Sequence, residues 1–404
     1  MNTLPLTRDL VFVGGGHTHA LVLRKWGMNP LPGVRVTVIN PGPTAPYSGM
    51  LPGFVAGHYT REELDIDLVK LARFAGARII NGAVTSIDPL AKLITVPDRP
   101  PIAYDVAAID IGITSEMPKM PGFAAHGVPA KPLGAFASRW EAFRDTAQDP
   151  TLAVIGGGVA GAELSMAMAH ALRKKGQSPT VNLVDRGKVL SVLGDTARRK
   201  MLDALVRNGV TLHEDVAVTG LIAKGVQLDD GRVVTSEFTV GAAGAKPHDW
   251  QSEIGIQMHE GFIWTDATLQ TSDPALFAVG DCGHFSADPR PKAGVYAVRQ
   301  APVLFDNLRA ALSGGQLRPY KPQKDYLKLI SLGGQTALAE KFGTAQAGRL
   351  LWKWKDHIDR TFMNQFVDLE MMGQPHVPLT VADGVADALG DKPMCGGCGA
   401  KVGR

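Results

Sequence analysis

This chain has few cysteines, no long hydrophobic run and little excess charge, and each absence excludes a class of protein. Its 404 residues include three cysteines, too few for a disulfide framework, so a reducing, cytoplasmic location is expected. No run approaches roughly 18 consecutive apolar residues, which argues against a membrane-spanning helix. The formal net charge of +3 is spread along the chain and predicts no nucleic-acid partner. Because Met1 leads directly into an apolar strand, no signal peptide is expected.

Glycine, in contrast, is abundant, and two glycine triplets stand 142 positions apart, each at the end of an apolar segment. The first is Gly14-Gly15-Gly16 and the second is Gly156-Gly157-Gly158. Before the second triplet, Ala153–Ile155 has the pattern of a buried parallel strand. Gly161 then completes a G-x-G-x-x-G spacing, and Asp185 follows the next apolar strand 24 residues later. This context gives the glycine pattern a specific interpretation.

The glycine spacing is typical of dinucleotide binding for steric and electrostatic reasons. The first glycine permits a tight turn, the second lets backbone N–H groups approach a pyrophosphate, and the third lets helix and strand pack closely. The helix N-terminus offers unpaired N–H donors and a partial positive charge to the phosphates. We call each triplet, with the helix that follows it, a cradle. Two cradles predict two redox cofactors held face to face.

The first cradle departs from the regular pattern at two positions. His19 stands where the third glycine belongs, and Asn40 follows the strand Val34–Ile39 where an acid is expected. An asparagine can still hydrogen-bond a ribose hydroxyl, without the added strength of a charged acceptor. His17 and His19 at the head of a helix favour packing or phosphate contact over metal ligation. No metal site is therefore predicted.

The segments after the two cradles are also duplicated. Each cradle is followed by a β-rich stretch and then by an apolar strand that ends in glycine, at Gly112 in the first half and Gly244 in the second. A further apolar strand ends in Gly280-Asp281, which puts a carboxylate at the sheet edge where ligands bind. The predicted helix Ala293–Leu312 follows, with its N-terminal dipole available to a negatively charged group of a bound cofactor.

The C-terminal third of the chain has a different pattern. Asp325–Ile330 and Gln335–Lys341 are predicted as short strands, and Ala347–Phe366 as an amphipathic helix. Its predicted apolar stripe contains Leu350, Leu351, Trp354, Ile358 and Phe362, and Lys353, Lys355 and Arg360 lie off it. Such a helix suits a membrane surface. Packing on its own domain or on a second subunit is the favoured interpretation.

These segments together resemble a known family. The two triplets, Ala108-Ile109-Asp110-Ile111-Gly112, Ala242-Ala243-Gly244-Ala245-Lys246-Pro247 and Val279-Gly280-Asp281-Cys282 resemble the pyridine nucleotide–disulfide oxidoreductase superfamily. Within it, residues 8–370 look closest to the type II NADH dehydrogenase-like branch. The resemblance implies FAD in the first cradle and NADH in the second, with NADPH as the alternative. Asp185 favours NADH because it repels a 2′-phosphate, although the neighbouring Arg186 could bind one.

The resemblance implies an α/β fold with two Rossmann-like, three-layer domains and a small α+β C-terminal domain. The candidate FAD-binding residues are Gly14, Gly15, Gly16, His17, Thr18, Asn40, Ser48, Gly112, Gly280, Asp281 and Lys292. The candidate NAD(P)H-binding residues are Gly156, Gly158, Gly161, Asp185 and Gly244. The expected domains are residues 1–120 with 250–315 for FAD, 121–249 for NAD(P)H, 316–374 for the C-terminal interface, and 375–404 for a linker and a further domain start.

The chain also departs from that family in ways that bear on function. Disulfide-reducing members carry a C-x₄-C pair soon after the second strand, whereas this chain has Pro46–Pro52 there, without cysteine. Electrons should therefore leave the flavin directly. The glutamine pattern of a quinone site is poorly reproduced around Ala293–Gln300. Cys282 is the one thiol near the predicted flavin, and a lone buried cysteine is usually inert.

The C-terminal tip carries a second resemblance. Its string Cys395-Gly396-Gly397-Cys398-Gly399-Ala400-Lys401-Val402 lacks a second ligand pair for zinc. It looks like the start of a selenide, water dikinase, in which Cys398 and Lys401 match the catalytic pair. The expectation is a flavoprotein fused, in its parent protein, to selenophosphate synthesis. In this chain alone the pair is expected to be inactive.

The expected function is an FAD-dependent NAD(P)H oxidoreductase that passes electrons from nicotinamide through flavin to a small-molecule acceptor, with a selenium compound as one candidate. Two alternatives remain open. One is a non-catalytic, flavin-bound regulatory module of the dikinase, and the other is a membrane-surface quinone reductase. Peripheral membrane contact is the less favoured interpretation, and a homodimer is a further option.

Overall fold

Two five-stranded parallel sheets organise this computed structural model, which describes residues 6–369. The strand order of the first sheet is Leu276–Ala278, Val106–Ile109, Arg8–Val13, Val34–Asn40 and Arg78–Asn81. The order of the second is Gly127–Pro129, Phe238–Gly241, Thr151–Ile155, Thr180–Val184 and Val210–His213. In both sheets the strand before the glycine triplet is central. The sequence-based expectation of two Rossmann-like units is confirmed.

The register explains why each triplet lies at a carboxyl edge of its sheet. Val13 pairs with Ile39 on one side and Ile109 on the other. Ile155 pairs with Val184 and Gly241 in the same way. The glycines begin directly after these paired residues, so both turns leave the sheet at the edge where ligands bind in open parallel sheets.

Each unit has the three layers that were expected. The first triplet opens the helix His17–Met28, which we call the first-cradle helix, and the second opens Val159–Lys174, the second-cradle helix. These helices cover one face of each sheet. Small antiparallel sheets cover the opposite faces through separate apolar clusters. Their strands are Ser86–Asp88, Leu93–Thr95 and Ile102–Ala103 in the first unit, and Val218–Ile222, Gly225–Leu228 and Val233–Thr235 in the second.

Shorter elements connect the two units. Thr114–Ser115 pairs with Ala245–Lys246 where the chain passes between them. The remaining small sheets are Thr44–Pro46 with Asp65–Asp67, and Met258–His259 with Phe262–Thr265 and Gly283–Phe285. The other helices are Leu51–Val55, Arg61–Leu64, Leu68–Phe74, Phe123–His126, Leu133–Thr146, Asp195–Arg207 and Gly294–Ser313, with 3₁₀ turns at Met117–Lys119, Asp249–Glu253 and Gly280–Cys282.

The C-terminal domain is a three-stranded antiparallel sheet followed by one long helix. The strands are Lys328–Ser331, Ala337–Lys341 and Thr344–Gly348, and the helix is Arg349–Val367, called here the C-terminal helix. The third strand was not expected, because its five residues alternate too weakly in hydrophobicity to be distinguished from a helix start. The C-terminal helix consequently begins two residues later than expected.

The buried face of the C-terminal helix differs from the predicted stripe. Leu350, Trp354 and Ile358 are exposed, whereas Lys355 and Asp359 are buried. Phe362, Met363 and Phe366 complete the buried face. The predicted stripe was therefore wrong for most of its members. The helix does pack on its own domain, and an ion pair between Lys355 and Asp359 lets two charged residues lie on the buried side.

Within residues 6–369, no helix has the length and apolar character that crossing a membrane requires.

Candidate functional site

The first cradle is closed by contacts that require glycine. Gly14 has a φ of +92°, and a Cβ added to Gly14 or Gly16 would come within 3.0 Å of Asp110. The N–H of Gly15 donates to Oδ1 of Asn40 at 2.9 Å. Nδ2 of Asn40 donates to the carbonyl of Gly42 at 2.7 Å. Asn40, which was expected to hydrogen-bond a ribose, therefore lies beside the triplet, and its amide fixes the loop of the triplet.

The residues that open the first-cradle helix are mostly engaged within the protein. His19 is fully buried, and its Nδ1 donates to the carbonyl of Gly14 at 2.7 Å. Burial lowers the pKa of His19 to about 4, so the ring is neutral. Thr18 donates its hydroxyl to the carbonyl of Ala297 and its N–H to Asp110. His17 hydrogen-bonds the carbonyl of Pro46 through Nε2, and burial lowers its pKa.

Asp281 and the helix after it approach the same end of the first cradle. Oδ2 of Asp281 accepts a charged hydrogen bond from Nζ of Lys131 at 3.2 Å. Gly280 has a φ of +67° and its N–H donates to Gln300. A Cβ on Gly294, the first residue of the helix Gly294–Ser313, would lie 3.6 Å from Oγ of Ser48. The expected carboxylate, serine and helix N-terminus thus converge.

Lys292 makes its contacts farther from the glycine triplet. Its Nζ donates to the carbonyl of Gly283 and lies 4.1 Å from the ring centroid of Phe262. Burial lowers the pKa of Lys292. Its neighbours Cys282 and Asp281 oppose this shift. Its role toward a cofactor remains a prediction.

The second cradle follows the regular pattern more closely. Gly156 has a φ of +111°, and a Cβ on Gly161 would come within 3.0 Å of the carbonyl of Gly156. Asp185 accepts N–H donors from Gly157 at 2.6 Å and Gly187 at 2.8 Å. A carboxylate has about four lone-pair sites, so Asp185 retains capacity for a ribose hydroxyl.

Each unit leaves glycine backbone open to a ligand, in the second cradle itself and beside the first. The Cβ positions of Gly158 and Gly112 have no heavy atom within 4 Å, and Gly112 has a φ of +66°. Gly244, the equivalent of Gly112 in the second unit, has a φ of +64°. Helix N-termini behind open glycine backbone fit the phosphates of FAD and NAD(P)H. The residues present therefore fit both groups.

A cavity of about 170 Å³ lies where the two units meet. Ser48 and Leu51 line it from the first unit, and Glu163 and Ala242 line it from the second. Lys131, which pairs with Asp281, also reaches this wall. Residues from both nucleotide-binding units therefore meet at one space.

A chain of buried charges lies beside the cavity. Glu163 accepts the N–H of Ser331 at 2.7 Å, and burial raises its pKa to about 7 against the field of Lys355. Nζ of Lys355 donates to Asp359 at 2.6 Å and to the carbonyl of Gly49 at 2.7 Å. Burial raises the pKa of Asp359 although Lys355 opposes the shift. The C-terminal helix thus contributes charge next to the site.

Cys282 does not have the environment of a reactive thiol. It is fully buried, and its Sγ contacts the carbonyl of Val279 at 3.2 Å. Burial raises its pKa to about 12, so the thiolate is negligible at neutral pH. No group of three or more potential metal ligands occurs within residues 6–369. Cys398 and Lys401 lie outside the residues that the structure describes.

Three residues of the site were not selected from the sequence. Asp110 interrupts an apolar strand end, and that interruption was a visible signal of a special role. Glu163 follows Gly161 by two positions on the second-cradle helix, so its place beside the second cradle could have been inferred. Lys131 comes from a turn and had no comparable signal.

Two Rossmann-like units, each with a glycine cradle, that meet at one cavity are typical of a class of protein, the oxidoreductases that use two dinucleotides. Residues 8–301 match the family described as pyridine nucleotide-disulphide oxidoreductase, and the chain belongs to this family. It is an FAD-dependent NAD(P)H oxidoreductase. The expected superfamily and cofactors are confirmed.

Curated relatives agree with this class. The chain is 24% identical over 370 residues to the NADH dehydrogenase-like protein YutJ of Bacillus subtilis, covering 87% of this chain and 99% of the relative. It is 28% identical over 214 residues to the ferredoxin–NAD(+) reductase subunit of the benzene 1,2-dioxygenase system of Pseudomonas putida. That match covers 51% of this chain and 50% of the relative.

Solved structures share the fold. The sulfide:quinone oxidoreductase of Aquifex aeolicus matches with a TM-score of 0.71 and 16% identity, over 91% of this chain and 93% of that chain. The water-forming NADH oxidase of Lactobacillus brevis, solved with NADH, matches with a TM-score of 0.66 and 20% identity. That match covers 82% of this chain and 75% of the oxidase.

Proposed function

We propose that the first cradle holds FAD, that the second holds NADH, and that electrons leave the flavin directly to an acceptor in or near the shared cavity. The observation that carries this proposal is the meeting of both units at one cavity, with Ser48 on one wall and Ala242 on the other. When bound, FAD supplies a ring that accepts two electrons and passes them on.

The protein's contribution is positioning and charge. The helix N-terminus after Gly14–Gly16 and the open backbone at Gly112 suit a pyrophosphate, and Asp281 supplies an acceptor for sugar-like hydroxyls. Lys131 places a cation beside Asp281, where it also faces the cavity. In the second unit, Asp185 favours the unphosphorylated ribose of NADH. The thiol of Cys282 takes no part.

The Asp281→Ala variant tests the placement of FAD. Loss of hydrogen bonds to a charged acceptor is worth about 1.5–3 kcal/mol, or roughly 10- to 100-fold in affinity. We expect the dissociation constant of FAD, measured by fluorescence titration of apoprotein, to rise by that factor. Asp203→Ala, at an exposed position on the helix Asp195–Arg207, is the matched control. Unchanged FAD affinity in Asp281→Ala would show that the cofactor lies elsewhere.

A second candidate, a membrane-surface quinone reductase, is supported by the exposed face of the C-terminal helix. Leu350 is 79% exposed and Trp354 48% exposed, and the exposed Lys353 lies between them. Such a face suits an anionic bilayer surface. Flotation with vesicles of phosphatidylcholine and phosphatidylglycerol tests it. Binding that Trp354→Glu abolishes supports this candidate, and absence of flotation contradicts it.

The acceptor is proposed to be a small molecule, and a selenium compound is one candidate because of the Cys395–Val402 motif. NADH oxidation with selenite, quinones, oxygen and dyes measures the preference. Selenite turnover well above that of the other acceptors supports the link to selenophosphate synthesis. The link is contradicted if selenite turnover is absent both in this chain and in one extended through a dikinase domain.

A further inference from the structure

The two cradles differ in the residue beneath each glycine triplet. The N–H of Asp110 donates to the carbonyl of Val13 at 2.9 Å, and the N–H of Ala242 donates to that of Ile155 at 2.8 Å. Asp110 and Ala242 are therefore structural equivalents, each one residue beyond the strand beside the triplet. One position carries a carboxyl group and the other a methyl group.

The residue that follows the second strand of each unit differs in the opposite sense, because here the second unit carries the acid. Asn40 accepts the N–H of Gly15 in the first cradle, and Asp185 accepts the N–H of Gly157 in the second. The first cradle thus has a neutral ribose-side residue and an acid at the helix end. The second has an acid on the ribose side and a neutral residue, Ala242, at the helix end.

Asp110 occupies part of the positive end of the first-cradle helix. It is 3% exposed, and its Oδ2 accepts N–H donors from Thr18 at 3.0 Å and His19 at 3.2 Å. A Cβ on Gly16 or Gly280 would come within 3.0 Å of its carboxyl group, which therefore lies between the triplet and the Gly280 turn. A pyrophosphate bound at this helix end brings a second anion to the same place.

The groups that surround Asp110 do not supply a cation to balance both anions. Asp281, on the Gly280 turn, adds negative charge, and Lys131 is paired with Asp281. From the first-cradle helix, His17 and His19 face the site as neutral rings, since burial lowers both pKa values. The thiol of Cys282 near Asp110 is neutral, and the ammonium of Lys292 faces Cys282 and Asp281 and contacts the carbonyl of Gly283.

We infer that FAD binds to the first cradle together with one proton, and that Asp110 takes up this proton. The inference rests on the proposed placement of FAD. In the free protein, burial and then the charge of Asp281 raise the pKa of Asp110 to about 7, opposed by the two N–H donors. A neighbouring pyrophosphate raises that pKa further, so binding above pH 7 must draw a proton from solvent. NADH at the second cradle, beside Ala242, needs no such proton.

The test is calorimetric titration of apoprotein with FAD at pH 8 in two buffers of different ionisation enthalpy. Their difference counts the protons taken up, and the Asp110→Asn variant distinguishes uptake by Asp110 from uptake by His17 or His19. We expect an uptake close to one proton. The FAD dissociation constant should rise nearly tenfold per pH unit above pH 7, as linkage to one proton requires.

Asp110→Asn keeps an oxygen acceptor for the two N–H donors and removes the charge. This variant should bind FAD without proton uptake, with an affinity that is flat in pH and about tenfold tighter than the parent at pH 8. Asp105→Asn, at the far end of the same strand region, is the control with the same change of charge. It should retain the proton uptake of the parent.

FAD binding by the parent without proton uptake would overturn this inference and leave the proposed function intact. So would proton uptake that persists in Asp110→Asn. A parent chain that binds no FAD at all contradicts the proposed function and the inference with it. Because the proton count is measured on the parent, a folding defect of the variant does not remove the test.

Discussion

Individual side chains of the two units differ in burial, pKa and hydrogen-bond partners, and we therefore expect different roles for them. Cys282 is buried with a raised pKa, so we expect it to serve packing rather than electron transfer. Cys282→Ser keeps a small donor that can reach the carbonyl of Val279, as Sγ does at 3.2 Å. We expect the rate of flavin reduction by NADH, in anaerobic stopped flow, to stay within a few-fold of the parent. A loss of about 100-fold, near 2.7 kcal/mol of barrier, would identify a catalytic thiol.

We predict that Asp185 sets the choice between the two nicotinamide cofactors. Its carboxylate already holds Gly157 and Gly187 and has acceptor sites left for a ribose hydroxyl. Comparison of kcat/KM should favour NADH over NADPH in the parent by at least about tenfold. Asp185→Asn should bring the ratio toward one, whereas Asp195→Asn, at an exposed position, should not change it. A parent that prefers NADPH would contradict this assignment.

We expect Glu163 to make the stability of the chain depend on pH. Burial raises its pKa to about 7, so the native chain holds a proton that the unfolded chain releases near pH 4. The free energy of unfolding contributed by Glu163 therefore falls as pH rises from about 4 to about 7 and is flat above. Relative to Glu163→Gln, the parent should lose at most about 1.4 kcal/mol per pH unit across that window. Denaturant unfolding at several pH values measures it, and a difference independent of pH would be contrary to this assignment.

At the scale of elements, the C-terminal helix depends on one buried ion pair. Lys355→Met leaves Asp359 buried without its partner and should destabilise the chain by about 3 kcal/mol in denaturant unfolding. Adding Asp359→Leu should restore more than half of the loss, because no unpaired charge then remains. Lys353→Met, on the exposed side of the same helix, should stay within about 0.5 kcal/mol. Equal effects of Lys353→Met and Lys355→Met would refute the role of the pair.

The elements also show how far the sequence alone could lead. The cradles were predictable because local backbone geometry requires glycine there, as the φ of +111° at Gly156 shows. The buried face of the C-terminal helix was not, because Lys355 is buried by a contact with Gly49, 306 positions away. Asp110 likewise gains its environment from Thr18, 92 positions earlier. Periodicity carries no information about such distant partners.

For the whole molecule, the fold and the cofactor class followed from two repeated patterns in the chain. The residues that bind each cofactor, the domain boundaries and a cytoplasmic location remain predictions. The fusion to a dikinase and a homodimer also remain predictions. Both units contribute to one cavity, with Ser48 and Glu163 on its walls, and the proposed function predicts that electrons pass between the two bound cofactors there.

Anaerobic mixing of the FAD-loaded chain with NADH tests that passage most directly. One equivalent of NADH should bleach the visible flavin absorbance, and the Gly161→Val variant should lose this reduction while retaining FAD. The added side chain would meet the carbonyl of Gly156 and close the second cradle alone. A flavin that stays oxidised in the parent with excess NADH or NADPH would show that the chain holds its cofactors without electron transfer between them.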